Sequence, residues 1–150
     1  MANKGMIDIS EKNVTERTAT ATGIVELSSE AFEILKAGKS IKGDVLNTAK
    51  IAAIGAIKST PTLIPMCHPI AIESISVDFK LDDAAKTTIV NVTVKATAKT
   101  GVEMEALTGA SAACLNIYDM LKYTGKEMII SQVKLLEKTG GKSGDYKRKY

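Results

Sequence analysis

Two stretches of strict alternation constrain this chain more than anything else in it. Ile75, Val77, Phe79 and Leu81 alternate with Ser74, Ser76, Asp78 and Lys80. After "DDAAK", Val90, Val92, Val94 and Ala96 alternate in the same way. A period of two puts every second side chain on one face of a β-strand, so each stretch is a half-buried strand. Five turn-forming residues between them predict an antiparallel hairpin. Any fold for the chain must contain this pair and cover its apolar face.

The remaining elements supply the cover. Residues 17–27, "RTATATGIVEL", read as a further strand rich in threonine. Ser28 or Ser29 can cap a helix running to about Ala37, which Gly38 stops. A second helix is expected over 44–58, where many alanines and Gly55 suit close packing. Pro61, Pro65 and Pro69 punctuate an irregular segment. Thr100 to Glu103, "TGVE", matches a capping box and opens a long helix to about Tyr123. Residues 128–136 form the last strand. The order is strand, helices, strand, strand, helix, strand. This predicts an α+β fold, a ferredoxin-like βαββαβ sandwich with an antiparallel sheet and an extra helix. The second face of such a sheet calls for a cover, which a second copy supplies.

At 150 residues the chain is expected to form a single domain over 1–150, with 1–16 and 139–150 flexible. No apolar run spans a bilayer and the N-terminus lacks a signal-peptide core, so a cytoplasmic protein with no membrane partner is expected. Cys67 and Cys114 are too few for a disulfide framework and fit a reducing compartment. The net charge of +3 is only mildly basic, and aromatics make up 4% with no tryptophan. A ferredoxin-like RNA-binding module explains the element order and the lysines, but it needs aromatic platforms for the bases. Phe79 stands in the alternating set that faces the core. No nucleic-acid partner is therefore expected.

Several residues can carry chemistry. His68, the single histidine, lies in "PMCHPI" between two prolines. Zinc is a poor reading, because no second Cys/His cluster completes a tetrahedral set with Cys67 and His68. Asp119 and Lys122 share a helix face, either as a surface ion pair or as a carboxylate that positions a lysine for proton transfer. Glu103 and Glu105 open the same helix. Sixteen positions separate Glu103 from Asp119, about 24 Å at 1.5 Å per residue, so one chain cannot close both around one small reacting group. Lys42, Lys58, Lys122, Lys138 and Lys142 are candidate phosphate contacts. "TGGKSG" near the C-terminus ends like a P-loop but lacks the earlier glycine, where Leu136 stands, and no helix follows.

Taken together, "MIDISEKNVTERTA", "KGDVLNTAKIAAI", "LIPMCHPI", "TGVEMEALTGASAACLNIYDMLK" and "LLEKTGGKSGD" resemble one family, the cyclic pyranopterin monophosphate synthases of molybdenum cofactor biosynthesis. The resemblance covers nearly the whole chain. It implies a lyase that converts 3′,8-cyclo-7,8-dihydroguanosine triphosphate into cyclic pyranopterin monophosphate and releases pyrophosphate. It also implies a homohexamer, a trimer of dimers, with active sites at subunit interfaces. Carried over by motif, Asp119 and Lys122 are the catalytic pair. Met66, Cys67, His68, Glu103, Met104, Glu105, Lys42, Lys138 and Arg17 are the substrate-binding residues. No tightly bound cofactor is implied; Mg²⁺ accompanies the triphosphate at most. One departure stands out: Lys58-Ser59-Thr60 replaces the family's usual Lys-Arg-Thr.

Overall fold

Alternation along β1 (Thr15–Glu26) and β3 (Thr87–Ala98) builds the centre of the sheet, and β2 (Ser74–Asp82) extends it on one side. The structure, a computed structural model, describes residues 4–150. Between β1 and β2 run α1 (Ser29–Ala37), α2 (Val45–Lys58) and the single turn α3 (Thr60–Leu63). After β3 come α4 (Glu103–Leu121), β4 (Ile129–Thr139) and β5 (Tyr146–Lys147). The sheet order is β2-β3-β1-β4-β5, with every neighbouring pair antiparallel. This is the expected ferredoxin-like arrangement, with extra helices and a short fifth strand.

The local signals act largely as read. Ser28 caps α1 by accepting from Ala31 N–H, and Gly38 closes it in the left-handed conformation. Asp44 caps α2 by accepting from Asn47 N–H. The capping box at Thr100 does not form. Val102 is the N-cap of α4 and makes no side-chain cap bond. Glu103 is thus the first helical residue, two positions too early to reach back as a capping-box acid; its carboxylate lies over Gly101 instead. At the other end α4 stops at Leu121. The chain tightens into a 3-10 turn, Lys122–Thr124, and Gly125 ends it.

The core lies between the sheet and α2 with α4. Ala19, Ala21 and Gly23 make the face of β1 under α4 flat enough for close contact. A Cβ at Gly23 would stand 2.7 Å from Cys114 Sγ. Phe79 packs against this core, so it is not a platform for stacking bases. The opposite face of the β1–β3 pair is apolar at Ile24 and Ile89 only. Elsewhere it carries threonines with Glu16, Glu26, Asn91 and Lys95, and Thr20 and Thr93 are hydrogen-bonded across the strands at 2.8 Å. That face is therefore far more polar than the sequence reading supposed. No helix among the described residues is long and apolar enough to cross a membrane.

Candidate active site

Three segments meet at the start of α4. The N-terminal stretch brings Ile7, Ile9 and Lys12. The proline-framed loop brings Met66, Cys67 and His68. The helix start brings Glu103, Met104 and Glu105. Together with Gly101 and Ile70 they wall a cavity of about 290 Å³. The stiffness comes from Pro65 and Pro69 on either side of the loop and from the Cys67 N–H bonded to Ile64 O at 3.0 Å.

Glu105 is the deepest acid, with 3% of its surface exposed. Burial raises its pKa; its own backbone N–H partly offsets this, and the nearby Glu103 charge adds to it. Burial likewise raises the Cys67 thiol, with the Glu105 charge contributing. The cavity thus holds a neutral thiol, an imidazole and a carboxyl biased toward its protonated, donating form. Lys138, from β4, reaches the rim with its ammonium 4.0 Å from the Glu103 carboxylate.

A second cavity of about 550 Å³ adjoins this one, and Lys12 lies on the wall of both. Arg17 and Lys142 line the second. Arg17 faces the helix side of β1, donating from Nε to Ala98 O at 3.3 Å and from Nη2 to Lys99 O at 3.2 Å. The "GGKSG" segment is no P-loop. It is the hairpin joining β4 to β5, closed by Gly144 N–H on Gly141 O and by Gly140 N–H on the Asp145 carboxylate. Gly141 has φ +87°, and a Cβ there would collide with the Arg17 guanidinium. Both the conformation and the contact require glycine.

The C-terminal end of α4 carries a separate charged cluster. Lys122 Nζ lies 2.9 Å from one Asp119 oxygen, and Lys42 Nζ lies 3.2 Å from the other. Lys42 also donates to the Asp119 main-chain carbonyl at 3.0 Å, a cation at the negative end of the helix. The loop bearing Lys42 is docked by Ser40, which donates to Met120 O, and by Ile41 N–H, which donates to the Tyr123 hydroxyl. Hydrogen bonds from Lys122 and then Lys42 hold the Asp119 carboxyl below its ordinary pKa of 3.8. All three side chains remain substantially exposed.

The family model described as the MoaC family matches residues 6–141. This chain belongs to the MoaC family. Among its relatives is the cyclic pyranopterin monophosphate synthase of Clostridium perfringens (strain 13 / Type A), 52% identical over 147 residues, or 96% of this chain and 93% of the relative. The synthase of Pelobacter propionicus is 51% identical over 146 residues, covering 97% and 91%. That of Staphylococcus carnosus is 48% identical over 147 residues, covering 97% and 91%. The family resemblance read from the sequence is thereby met.

Within this MoaC-family chain the sequence-derived candidates fall into two groups. Met66, Cys67, His68, Glu103, Met104, Glu105 and Lys138 gather at one end of α4, with Arg17 in the adjoining cavity. Lys42, Asp119 and Lys122 gather at the other. Lys12 and the isoleucines of the N-terminal segment were not singled out from the sequence. Only their position within "MIDISEKNVTERTA" pointed to them. Ser59, at the departure from the family pattern, donates its N–H to Gly55 O and Ala56 O, and makes no side-chain cap bond.

Proposed function

We propose that this chain is a cyclic pyranopterin monophosphate synthase, acting on 3′,8-cyclo-7,8-dihydroguanosine triphosphate. The observation that carries the reading is membership of the family, at about half identity to named synthases over more than nine-tenths of both chains. The guanine-derived ring opens and rebuilds, which requires protons to be delivered and removed. Lys122 is the group that moves them, held in place by Asp119. A sugar hydroxyl oxygen then bonds to the α-phosphorus, its proton passing to a basic group. The bond from the α-phosphorus to the α–β bridging oxygen breaks, and pyrophosphate leaves with that electron pair. Lysine cations stabilise the departing charge.

The active assembly is a homohexamer, a trimer of dimers, in which the cavity end of α4 in one chain faces the Asp119–Lys122 end in a neighbour. Two features support this. The half-sites lie too far apart within one chain, and α4 and α2 leave Met104, Leu115 and Ile51 exposed. Lysines act in proton transfer once desolvated, and a neighbouring subunit over this end of α4 supplies that desolvation. Mg²⁺, where it takes part, comes with the triphosphate as part of the substrate.

The test is turnover. The cyclised dihydroguanosine triphosphate is supplied in situ and the products are followed by mass spectrometry. Pyrophosphate and the cyclic pterin monophosphate, both lost in Lys122→Ala, are expected. A correctly assembled protein that forms neither would overturn the reading.

A further inference from the structure

Lys138 owes its place at the cavity rim to an irregularity in β4. Lys134 and Leu135 pair with Thr22 and Ala21 of β1, and Glu137, Lys138 and Thr139 pair with Thr20, Ala19 and Thr18. Leu136 has no partner on β1. It is the extra residue of a β-bulge opposite the Thr20–Ala21 step. Side chains of residues paired across two strands share a sheet face. Lys138 therefore lies on the face of Ala19, which is fully buried on the helix side, and its ammonium stands 4.0 Å from the Glu103 carboxylate. Thr139 lies on the other face, where its hydroxyl meets that of Thr18. With no bulge, the pairing of Leu135 with Ala21 would continue as Leu136 with Thr20 and Glu137 with Ala19. Every side chain beyond that point would change faces. Glu137 would then point toward the like-charged Glu103, and Lys138 would turn away from the cavity.

The bulge is held from the other edge of β4. In a regular strand successive carbonyls point to opposite edges. Here two successive carbonyls are taken by one residue. Arg148 donates its main-chain N–H to Leu136 O at 2.7 Å and its side-chain Nε–H to Leu135 O at 2.7 Å. The register of β5, with Glu137 opposite Lys147 and Lys138 opposite Tyr146, brings Arg148 to Leu136. We propose that Arg148 is a positioning residue for Lys138. Its pair of bonds fits only the bulged strand, because in the slipped register Leu135 O turns back toward β1. The bonds thus favour the register that keeps Lys138 beside Glu103. Lys138 as a substrate contact belongs to the proposed synthase reading; the clamp and the register it selects rest on the strand pairing alone.

Arg148→Ala keeps the main-chain bond and removes the side-chain one. In the assembled full-length variant, Lys138 is expected to react with an amine-labelling reagent about two- to tenfold faster than in wild type, as read by peptide mass spectrometry. KM for the cyclised triphosphate is expected to rise by a similar factor, with kcat little changed. In a Lys138→Ala background the same substitution should change KM no further, because the two residues act through one another. Arg148→Lys, whose ammonium can still donate to Leu135 O, restores part of the protection. If Arg148→Ala does not assemble, Arg148→Met keeps the aliphatic stem and carries the same test. Unchanged labelling of Lys138 in the assembled variant overturns the clamp and leaves the synthase reading intact. Equal rises in KM with and without Lys138 also overturn it, since Arg148 would then act by another route. Faster labelling of Lys138 in a protein that turns over no cyclised triphosphate has the opposite meaning: the clamp stands and the synthase reading falls.

Discussion

Glu103 and Asp119 are the first-turn and last-turn acids of one unbroken helix, and each is met by a lysine from a different element. Lys138 comes from β4 to Glu103, and Lys42 comes from the loop before α2 to Asp119. At 1.5 Å per residue their backbones stand about 24 Å apart. If one active site uses both ends, two chains must share it. Mixing His68→Ala chains with Lys122→Ala chains then recreates intact sites at mixed interfaces. Half of randomly formed interfaces are mixed, and one of the two sites in each is intact. Co-refolding two inactive variants should thus recover about a quarter of wild-type activity. No recovery, in oligomers shown to contain both chains, would mean that each site is built within a single subunit.

The Asp119–Lys122 contact is expected to matter for rate and little for stability. Both side chains are exposed, and exposed ion pairs contribute little to folding. Asp119 has a lowered pKa, so whatever stability the pair adds is present above the ordinary value of 3.8 and is lost as pH falls through the lowered one. Between pH 5 and 8 the carboxylate stays ionised. Lys122→Ala should lower kcat by roughly 10²- to 10⁴-fold with Tm almost unchanged. Asp119→Asn keeps the shape and removes the charge, so it should lower kcat by a smaller factor. Steady-state kinetics beside thermal melts separate the two effects.

What the sequence revealed follows from where each signal originates. The hairpin of β2 and β3, the Ser28 and Asp44 caps and the Gly38 stop are set by neighbouring residues, so local patterns disclosed them. The start of α4 was misread because "TGVE" satisfies the spacing of a capping box, whereas Val102 is the cap and puts Glu103 two positions too early. Lys42 beside Asp119 is a contact across 77 positions, and no period or spacing carries that. The motif resemblance put Asp119 in the catalytic pair and Lys42 among the substrate-binding residues, but their contact needed the docking of residues 40–42 by Ser40 and Tyr123. Lys12 was missed for the same reason. Its place between two cavities depends on how the N-terminal segment crosses the end of the sheet.

Glu105 offers a prediction of opposite sign to Asp119. Burial raises its pKa above the ordinary 4.5. In the window above that value the folded chain keeps a proton that the unfolded chain has lost. Stability therefore falls as pH rises through the window. Glu105→Gln removes this penalty. The variant should melt roughly 2–4 °C above wild type at pH 7 and level with it near pH 4. Its activity should fall, because the carboxyl lines the cavity beside Cys67 and His68. A variant less stable than wild type at pH 7 would show that the ionised carboxylate is well solvated or paired in the native protein.

Gly109 links the packing of the helices to the Lys42–Asp119 end of α4. A Cβ there would stand 2.7 Å from Ile57 Cδ1 and 3.2 Å from Val92 Cγ1. Ile57 is 1% exposed and cannot swing aside into water. Gly109→Ala would gain up to about 1 kcal/mol in helix propensity but lose about 1–3 kcal/mol to overpacking, for a net loss. The strain should lever α2 away from α4. Because Lys42 lies just before the Asp44 cap of α2, that movement loosens its hold on Asp119, and kcat should fall with stability. Ile57→Ala alone opens a cavity and should cost about 2–5 kcal/mol. In the double variant the methyl group introduced by Gly109→Ala occupies part of that space. Its denaturation midpoint should lie above the sum of the single effects, with kcat partly restored. Strict additivity in both quantities would mean that the contact between Gly109 and Ile57 does not set the distance between the helices.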